Sequence, residues 1–357
     1  MRQAIIVAGG LGTRLRPLTV NHPKHLLPVA GVPFLGHQIS KLAGSGVERV
    51  LLATSYLAGD FEPVFGDGSA WGVRLEYVTE TEPLGTAGAL RNVAGMLRGS
   101  ADDPVVVLNG DILSGHDIAA QVAQHVGDGA DVSLHLVEVP DPRAFGCVPT
   151  DADGRVTAFL EKSPDPVSHQ VNAGCYVFRR AVLETIPTGR PVSVERETFP
   201  NLLAEGAMVS GYLESSYWLD VGTPAALVRC SSDLVRGIAT SPAYDAQPGE
   251  RCLLPGSQVD AGASVRGGST VGAGAHVGRG AVLEASVVFD DAVVAPGAVV
   301  RNSVVAARAM VGEQTLLEDA VIGEEAEVGA GCELRAGARV WNGAKLTDGA
   351  IRFSTDV

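Results

Sequence analysis

Aromatic residues make up only 5% of this 357-residue sequence, and cysteine occurs five times. The cysteines, Cys147, Cys175, Cys230, Cys252 and Cys332, are widely spaced and odd in number, with no CxxC pair and no Cys/His cluster at metal-ligand spacing. That pattern excludes a disulfide framework and a zinc-finger-like site, and it makes a reducing cytoplasm the expected setting. No run approaches the roughly 18 uncharged apolar residues of a membrane span. The opening MRQAIIVAGG has one basic residue and too short an apolar run for a secretory signal. Basic residues are also in short supply, 27 against 41 acidic, for a net charge of −14. Such a surface repels a polyanionic duplex, so no nucleic-acid partner is expected, although small anions can bind locally. What the chain does have is 46% hydrophobic residues and 44 glycines. The length fits about two domains, and the glycine content points to a repetitive, turn-rich architecture in part of the chain.

From the start to about Leu234, short β-branched runs alternate with segments whose apolar residues recur every three or four positions. Residues 4–7, 50–53, 105–108 and 132–137 read as buried strands; 34–43, 85–97 and 118–126 read as helices between them. The alternation predicts an α/β fold with a parallel or mixed sheet covered on both faces. The stretch 237–255, containing SPAYDAQPGE, has neither period and reads as a linker.

Beyond Pro255 the period becomes six. Val259, Val265, Val271, Val277 and Leu283 form one series; Val288, Val294 and Val300 another; Val305, Val311 and Leu317 a third; Ile322, Val328, Leu334, Val340 and Leu346 a fourth. Each series joins the next by a step of five, so Val288, Val305 and Ile322 lie seventeen apart. Aliphatic residues at this spacing, flanked by Gly and Ala, predict hexapeptide repeats of a parallel β-helix whose aliphatic side chains fill a narrow stacked core. The expected domains are 1–236, the linker 237–255, and a β-helix over 256–357.

The first strand runs directly into GGLGTRLRPLT, Gly9 to Thr19, followed by HPKHLLPVAG from His22. Glycines after a buried strand let backbone N–H groups approach an anion. Arg14, Arg16 and Lys24 add three cations within eleven residues of an acidic chain, the local sign a polyphosphate site requires. The string is neither a Walker loop, lacking GK[ST], nor a dinucleotide fingerprint, since Arg14 stands near the third glycine's place.

The full GGLGTRLRPLT string resembles the signature of the sugar-1-phosphate nucleotidylyltransferases, and the likeness extends over nearly the whole chain. ETEPLGTAGAL, LNGDIL, FGCVPTD, FLEKSPDP, VNAGCYVF and YWLDVGTP follow in the family's order. PRAFGCVPTD, VSVERETFP and the closing RFSTDV look most like the actinobacterial mannose-1-phosphate guanylyltransferases. The resemblance implies a Rossmann-like nucleotidyltransferase sheet with a C-terminal left-handed parallel β-helix. It also implies transfer of a nucleoside monophosphate from GTP to mannose 1-phosphate, with Mg2+ as cofactor.

By the same resemblance Asp111 and Asp220 hold the metal, two carboxylates plus phosphate oxygens suiting a hard octahedral cation. Taken alone, Asp111 after Asn109 and Gly110 reads as a turn or capping residue; the second matching motif around Asp220 reverses that reading. Arg14 is implied to stabilise the leaving pyrophosphate, Lys24 to lie over the triphosphate and Lys162 to hold the sugar phosphate. The resemblance further implies that Ala8, Gly9, Gly10, Gly12, Thr13, Asn109 and Gly110 line the nucleotide, with Glu80, Gly85 and Thr86 at the base, that Glu161 and Asn172 face sugar hydroxyls, and that Gly146 and Gly174 give backbone room. One departure stands out: His25 follows Lys24 where the commoner pattern has proline.

Three alternatives remain at this point. The acceptor can be another sugar or cyclitol 1-phosphate, such as glucose or valienol 1-phosphate. The chain can be a non-catalytic regulatory subunit that senses a nucleotide sugar, against which intact Arg14, Lys24, Asp111, Lys162 and Asp220 argue. His276, alone among histidines in the hexapeptide region, raises acyl transfer, although a surface histidine is the simpler reading. No membrane partner is expected, and a homo-oligomer is, because solenoid flanks need covering.

Overall fold

A computed structural model of the chain describes residues 2–352; apart from Arg352, the closing RFSTDV string lies outside the described residues. The chain forms two units. One takes the described residues up to Gly10 together with Gln38–Trp218, and the other takes Leu11–His37 together with the described residues from Leu219 onward.

The first unit is built on a mixed nine-stranded sheet. Its strands are β1 (Gln3–Ala8), β2 (Arg49–Thr54), β3 (Arg74–Thr79), β4 (Pro104–Asn109), β5 (Val132–Glu138), β6 (Gly146–Cys147), β7 (Leu160–Glu161), β8 (Gln170–Arg179) and β9 (Val209–Leu213). They lie in the order β3-β2-β1-β4-β8-β5-β9, with the β6/β7 pair attached to the start of β8. β3, β2, β1 and β4 are parallel; β8 runs antiparallel to β4 and β5. Strands β1, β2 and β4 are near-continuous Val, Ile, Leu and Ala runs because helices cover both faces of such a sheet. Helices α1 (Phe34–Gly44), α2 (Gly85–Ala94) and α3 (Ile118–Asp128) bury one stripe each. In α3 Asp117 caps the first turn, accepting the Ala120 N–H at 3.0 Å, and Gly129 ends the last turn at φ +59°.

The second unit holds the turn-rich segment 11–37, the helix α4 (Pro224–Val235) and the hexapeptide solenoid. The solenoid strands form three parallel sheets, of six, six and five strands among the described residues, in the manner of a left-handed β-helix. Val271, Val288, Val305, Ile322 and Val340 stack in one sheet, Val277, Val294, Val311, Val328 and Leu346 in the second, Leu283, Val300, Leu317 and Leu334 in the third. These side chains and the alanines preceding them fill the core.

The stacking starts earlier than the sequence period indicated. Strand Arg251–Leu253, inside the stretch read as linker, already pairs with Ser269–Val271. Leu253 lies six before Val259, but Pro255 and Gly256 mask that step. Among the described residues no helix is long and apolar enough to cross a membrane.

Candidate functional site

The strand order reverses between β1 and β4, where a doubly wound sheet opens a crevice at its carboxyl ends. Val7 pairs with Asn109, and the Gly110 N–H donates to the Val7 carbonyl at 2.9 Å. Ala8, Gly9 and Gly10 therefore leave β1 beside Asn109, Gly110 and Asp111 leaving β4. On the other flank Ser55 Oγ donates to the Gly9 carbonyl at 2.6 Å. The turn carrying Asp111 is clamped from α1. Gln38 Nε2 donates to the carbonyls of Asn109 and Ile112, both at 2.8 Å, and Lys41 Nζ reaches the Ser114 carbonyl, Ser114 Oγ and His116 Nδ1. Sequence reasoning missed Gln38; its signal is a buried amide on a helix face otherwise made of Leu35, Ile39 and Leu42.

At the base side, Glu80 follows β3 and its carboxylate accepts the Leu84 N–H at 3.2 Å. Burial raises its pKa against the effect of that bond. α2 begins at Gly85, where φ is +73° and a side chain would strike the Val192 carbonyl. Thr86 Oγ1 donates to Glu195 Oε2 and accepts the Val194 N–H, both at 2.8 Å. Glu195, in a π-helical turn over Val194–Thr198, was not singled out from sequence. Such turns are local irregularities that re-aim side chains and concentrate at sites.

The residues expected around the acceptor come together in the same unit. Gly146 pairs with Glu161 across β6/β7, and the Lys162 N–H donates to the Phe145 carbonyl at 3.0 Å. Lys162 is 61% exposed, its Nζ 3.8 Å from Glu161 Oε1. Burial, then the neighbouring Glu195, raises the Glu161 pKa, with Lys162 and Arg196 opposing. Asn172 Nδ2 donates to Tyr176 Oη at 2.8 Å and its Oδ1 accepts the Gly174 N–H at 3.0 Å, while Asn109 Nδ2 reaches the same phenol at 3.3 Å. The β8/β5 register shifts between Asn172 and Tyr176, a bulge that turns this stretch. Trp218 donates Nε1–H to the Ala173 carbonyl at 3.0 Å and packs edge-on against Phe145 with centroids 5.2 Å apart. The result is a wall rich in acceptors with one exposed cation at its edge. Such a wall suits a hydroxylated ligand that carries a phosphate.

In the second unit the signature continues as a 3-10 turn over Thr13–Leu15, with Thr13 and Arg14 exposed. Thr19 Oγ1 donates to the Gly12 carbonyl at 2.8 Å. A side chain at Gly12 would come within 3.0 Å of Thr19 Cγ2 and 3.1 Å of Lys24 Cβ, so Gly12, Thr19 and Lys24 pack side by side. His25 is buried within the 3-10 turn Lys24–Leu26. Gly222 is the hidden member of this group. A Cβ there would collide with the Arg14 guanidinium and lie 3.1 Å from Asp220 Oδ1, so glycine leaves that space to the two groups. His276 lies on the solenoid surface, its Nε2 3.1 Å from Asp260 Oδ1.

Comparison with known proteins bears on this arrangement. Residues 3–237 match the nucleotidyl transferase family and residues 248–351 the GMPPB C-terminal domain. Over 261 residues the chain is 56% identical to the mannose-1-phosphate guanylyltransferase of Mycobacterium tuberculosis, covering 73% of this chain and 72% of that protein. It is 38% identical to the mannose-1-phosphate guanylyltransferase catalytic subunit beta of Drosophila pseudoobscura, covering 62% of this chain and 59% of that one. The crystal structure of HddC from Yersinia pseudotuberculosis complexed with GMP-PN aligns with 65% of this chain and 99% of its own, at 27% identity and a TM-score of 0.57.

Proposed function

The chain belongs to the nucleotidyl transferase family, and from that premise we propose that it makes GDP-mannose and pyrophosphate from GTP and mannose 1-phosphate. A phosphate oxygen of the sugar phosphate attacks the α-phosphorus of GTP in line; that P–O bond forms as the bond to the β-phosphate oxygen breaks, and pyrophosphate leaves. Four or more negative charges meet in this step, so the protein's work is positioning and neutralisation. The observation that carries the reading is the glycine turn after β1 lying beside Asn109–Asp111 at the point where the sheet reverses.

In this reading Ala8 to Gly10 and Gly12 present backbone to the phosphates, and Arg14 and Lys24 supply cations that follow charge towards the leaving group. Glu80, Gly85 and Thr86 bound the base pocket, and a carboxylate there can accept from guanine N1–H and N2–H2. Glu161 and Asn172 receive sugar hydroxyls and Lys162 the sugar phosphate. Nucleotidyl transferases work with a divalent ion, and two carboxylates are the hard oxygen donors that Mg2+ takes. Among the described residues no group of three or more His, Cys, Asp or Glu side chains can cage a metal. Asp111 and Asp220 would share the ion with phosphate oxygens and water, the habit of Mg2+. When bound, the ion neutralises phosphate charge. Placement in the cytoplasm is supported by five free thiols, four of them buried. A homo-oligomer is supported by Met310 and Trp341, apolar side chains half-exposed on the solenoid.

The test is pyrophosphate release with GTP, ATP, dTTP, UTP and CTP against mannose, glucose and cyclitol 1-phosphates. The expected outcome is the highest kcat/KM for GTP with mannose 1-phosphate. Preferred turnover of another pair would reassign the substrate, and nucleotide-sugar binding without pyrophosphate release would identify a regulatory subunit.

A further inference from the structure

The loop that carries Arg14 and Lys24 is anchored to the solenoid at both ends. On the first side, Arg339 donates to the Arg16 carbonyl. Glu324 Oε2 accepts from Asn21 Nδ2 at 3.4 Å and lies 3.3 Å from His22 Nε2. On the second side, the Ala30 N–H donates to Ser231 Oγ at 3.0 Å, and that hydroxyl bonds Thr270 Oγ1 of the solenoid at 3.0 Å. Gly31 sits so close to Leu254 that a Cβ at 31 would lie 2.5 Å from its side chain. Lys24 falls in the span between these anchors.

Glu324 is itself held from both neighbouring coils. Arg308, one coil back, pairs with Glu324 and Glu325, and Asn342, one coil on, accepts the Glu324 N–H at 3.1 Å. Burial opposes ionisation of Glu324, yet Asn21, His22 and Arg308 keep its pKa below the ordinary carboxylate value. Around Arg14 and Lys24 the loop's own backbone bonds reach three residues, as from Leu15 to Gly12, Leu18 to Leu15, Val20 to Pro17 and Leu26 to Pro23; the longer bond from the Phe34 N–H to the Leu27 carbonyl lies beyond them. Bonds of that reach shape turns but do not fix where the turns point. Between the loop and the coils lies a cavity of about 170 Å³ lined by Leu18, His22, Leu26, Leu27, Phe289 and Glu324, so the His22–Glu324 contact stands at its wall.

We propose that the β-helix is part of the nucleotide site's positioning apparatus, with Glu324 and Arg339 as positioning residues that hold Arg16–His22 and so aim Arg14 and Lys24 at the triphosphate. This deepens the proposed function and rests on its assignment of those two cations. A misplacement of about 1 Å at such a site costs roughly 100-fold in rate.

The test uses the full chain with Glu324→Ala, Arg339→Ala, the double variant, and Glu324→Gln, which keeps an acceptor for Asn21. For the double variant we expect kcat to fall by up to about 100-fold and KM for GTP to rise about tenfold, while KM for the sugar phosphate, held by residues of the other unit, stays within about twofold. Amide hydrogen exchange across residues 13–27 should accelerate in the double variant while the solenoid core stays protected, and Glu324→Gln should restore most of the protection. Unchanged exchange over 13–27, or equal shifts in both KM values, would overturn the proposal. No turnover by the wild-type chain would instead sink the assigned reaction and leave hydrogen exchange to decide the positioning role.

Discussion

Gly222 illustrates what a single residue contributes that its own chemistry does not announce. The string LDVGT marks Asp220 as a candidate, but the need for glycine two positions on is visible only once Arg14 occupies the space a side chain would take. Gln38 is similar. An amide in an apolar helix stripe reads as a tolerated polar residue until its two bonds to the Asn109–Ile112 turn are seen. Histidine supplies the residue-scale prediction. His37, His116, His125 and His135 are buried, and burial lowers the pKa of each, to about 4 for His37 and His125 and about 3 for His135. The unfolded chain takes up these protons near pH 6.5, the folded chain only near 4 or below. Between those limits the unfolded state binds more protons, so stability is present above pH 6.5 and is lost as pH falls, each histidine adding about 1.4 kcal/mol per pH unit. Urea midpoints measured from pH 7.5 to 4.5 should fall steeply from pH 6.5 downward. A His116→Gln, His135→Gln variant should flatten that fall; an identical slope would contradict the assignment.

At the scale of elements, the sequence period was most informative where burial is uniform. All the aliphatic series of the solenoid stack as their spacing implies, and the seventeen-residue interval corresponds to one coil shortened by a residue at one corner. The corner's internal chemistry was not legible. Ser269, Ser286 and Ser303 form a buried ladder in which each hydroxyl accepts the N–H of the residue seventeen on, Ser286, Ser303 and Ala320 respectively. The shortened corner leaves an N–H that the neighbouring coil's backbone does not meet, and the serine supplies the acceptor. Ser286→Ala should cost about 1–3 kcal/mol by leaving the Ser303 N–H unsatisfied, read as a lower urea midpoint, whereas a neutral substitution would show that another acceptor serves. Boundaries were less legible than periods. α2 stops at Ala94 with Gly95 as its cap, short of the expected Leu97, because the apolar spacing continues through Leu97 although the helical bonds do not.

Across the whole molecule, what escaped the sequence is the company each segment keeps. Segment 11–37 follows β1 in the chain and carries the family signature, yet its structural partners are Ser231, Leu254, Glu324 and Arg339. Contacts between residues two to three hundred apart leave no periodic trace, and the residues involved are ordinary types. The reaction class, by contrast, was legible in outline, because a polyphosphate site needs glycine and cations in a short run. The acidic total of −14 makes the local reversal of sign at Arg14, Arg16 and Lys24 the more specific signal.

The reaction proposed for the chain requires Asp111 and Asp220 to serve one divalent ion at the reacting phosphorus. The measurement that tests it most directly is a double-mutant cycle on Mg2+-dependent pyrophosphate release with Asp111→Asn and Asp220→Asn. The account predicts that each single change lowers kcat by at least about 100-fold in a folded protein, with the double variant scarcely worse than either single one, since both residues act on one ion. Near-wild-type kcat in either single variant, or a double loss equal to the product of the single losses, would contradict it.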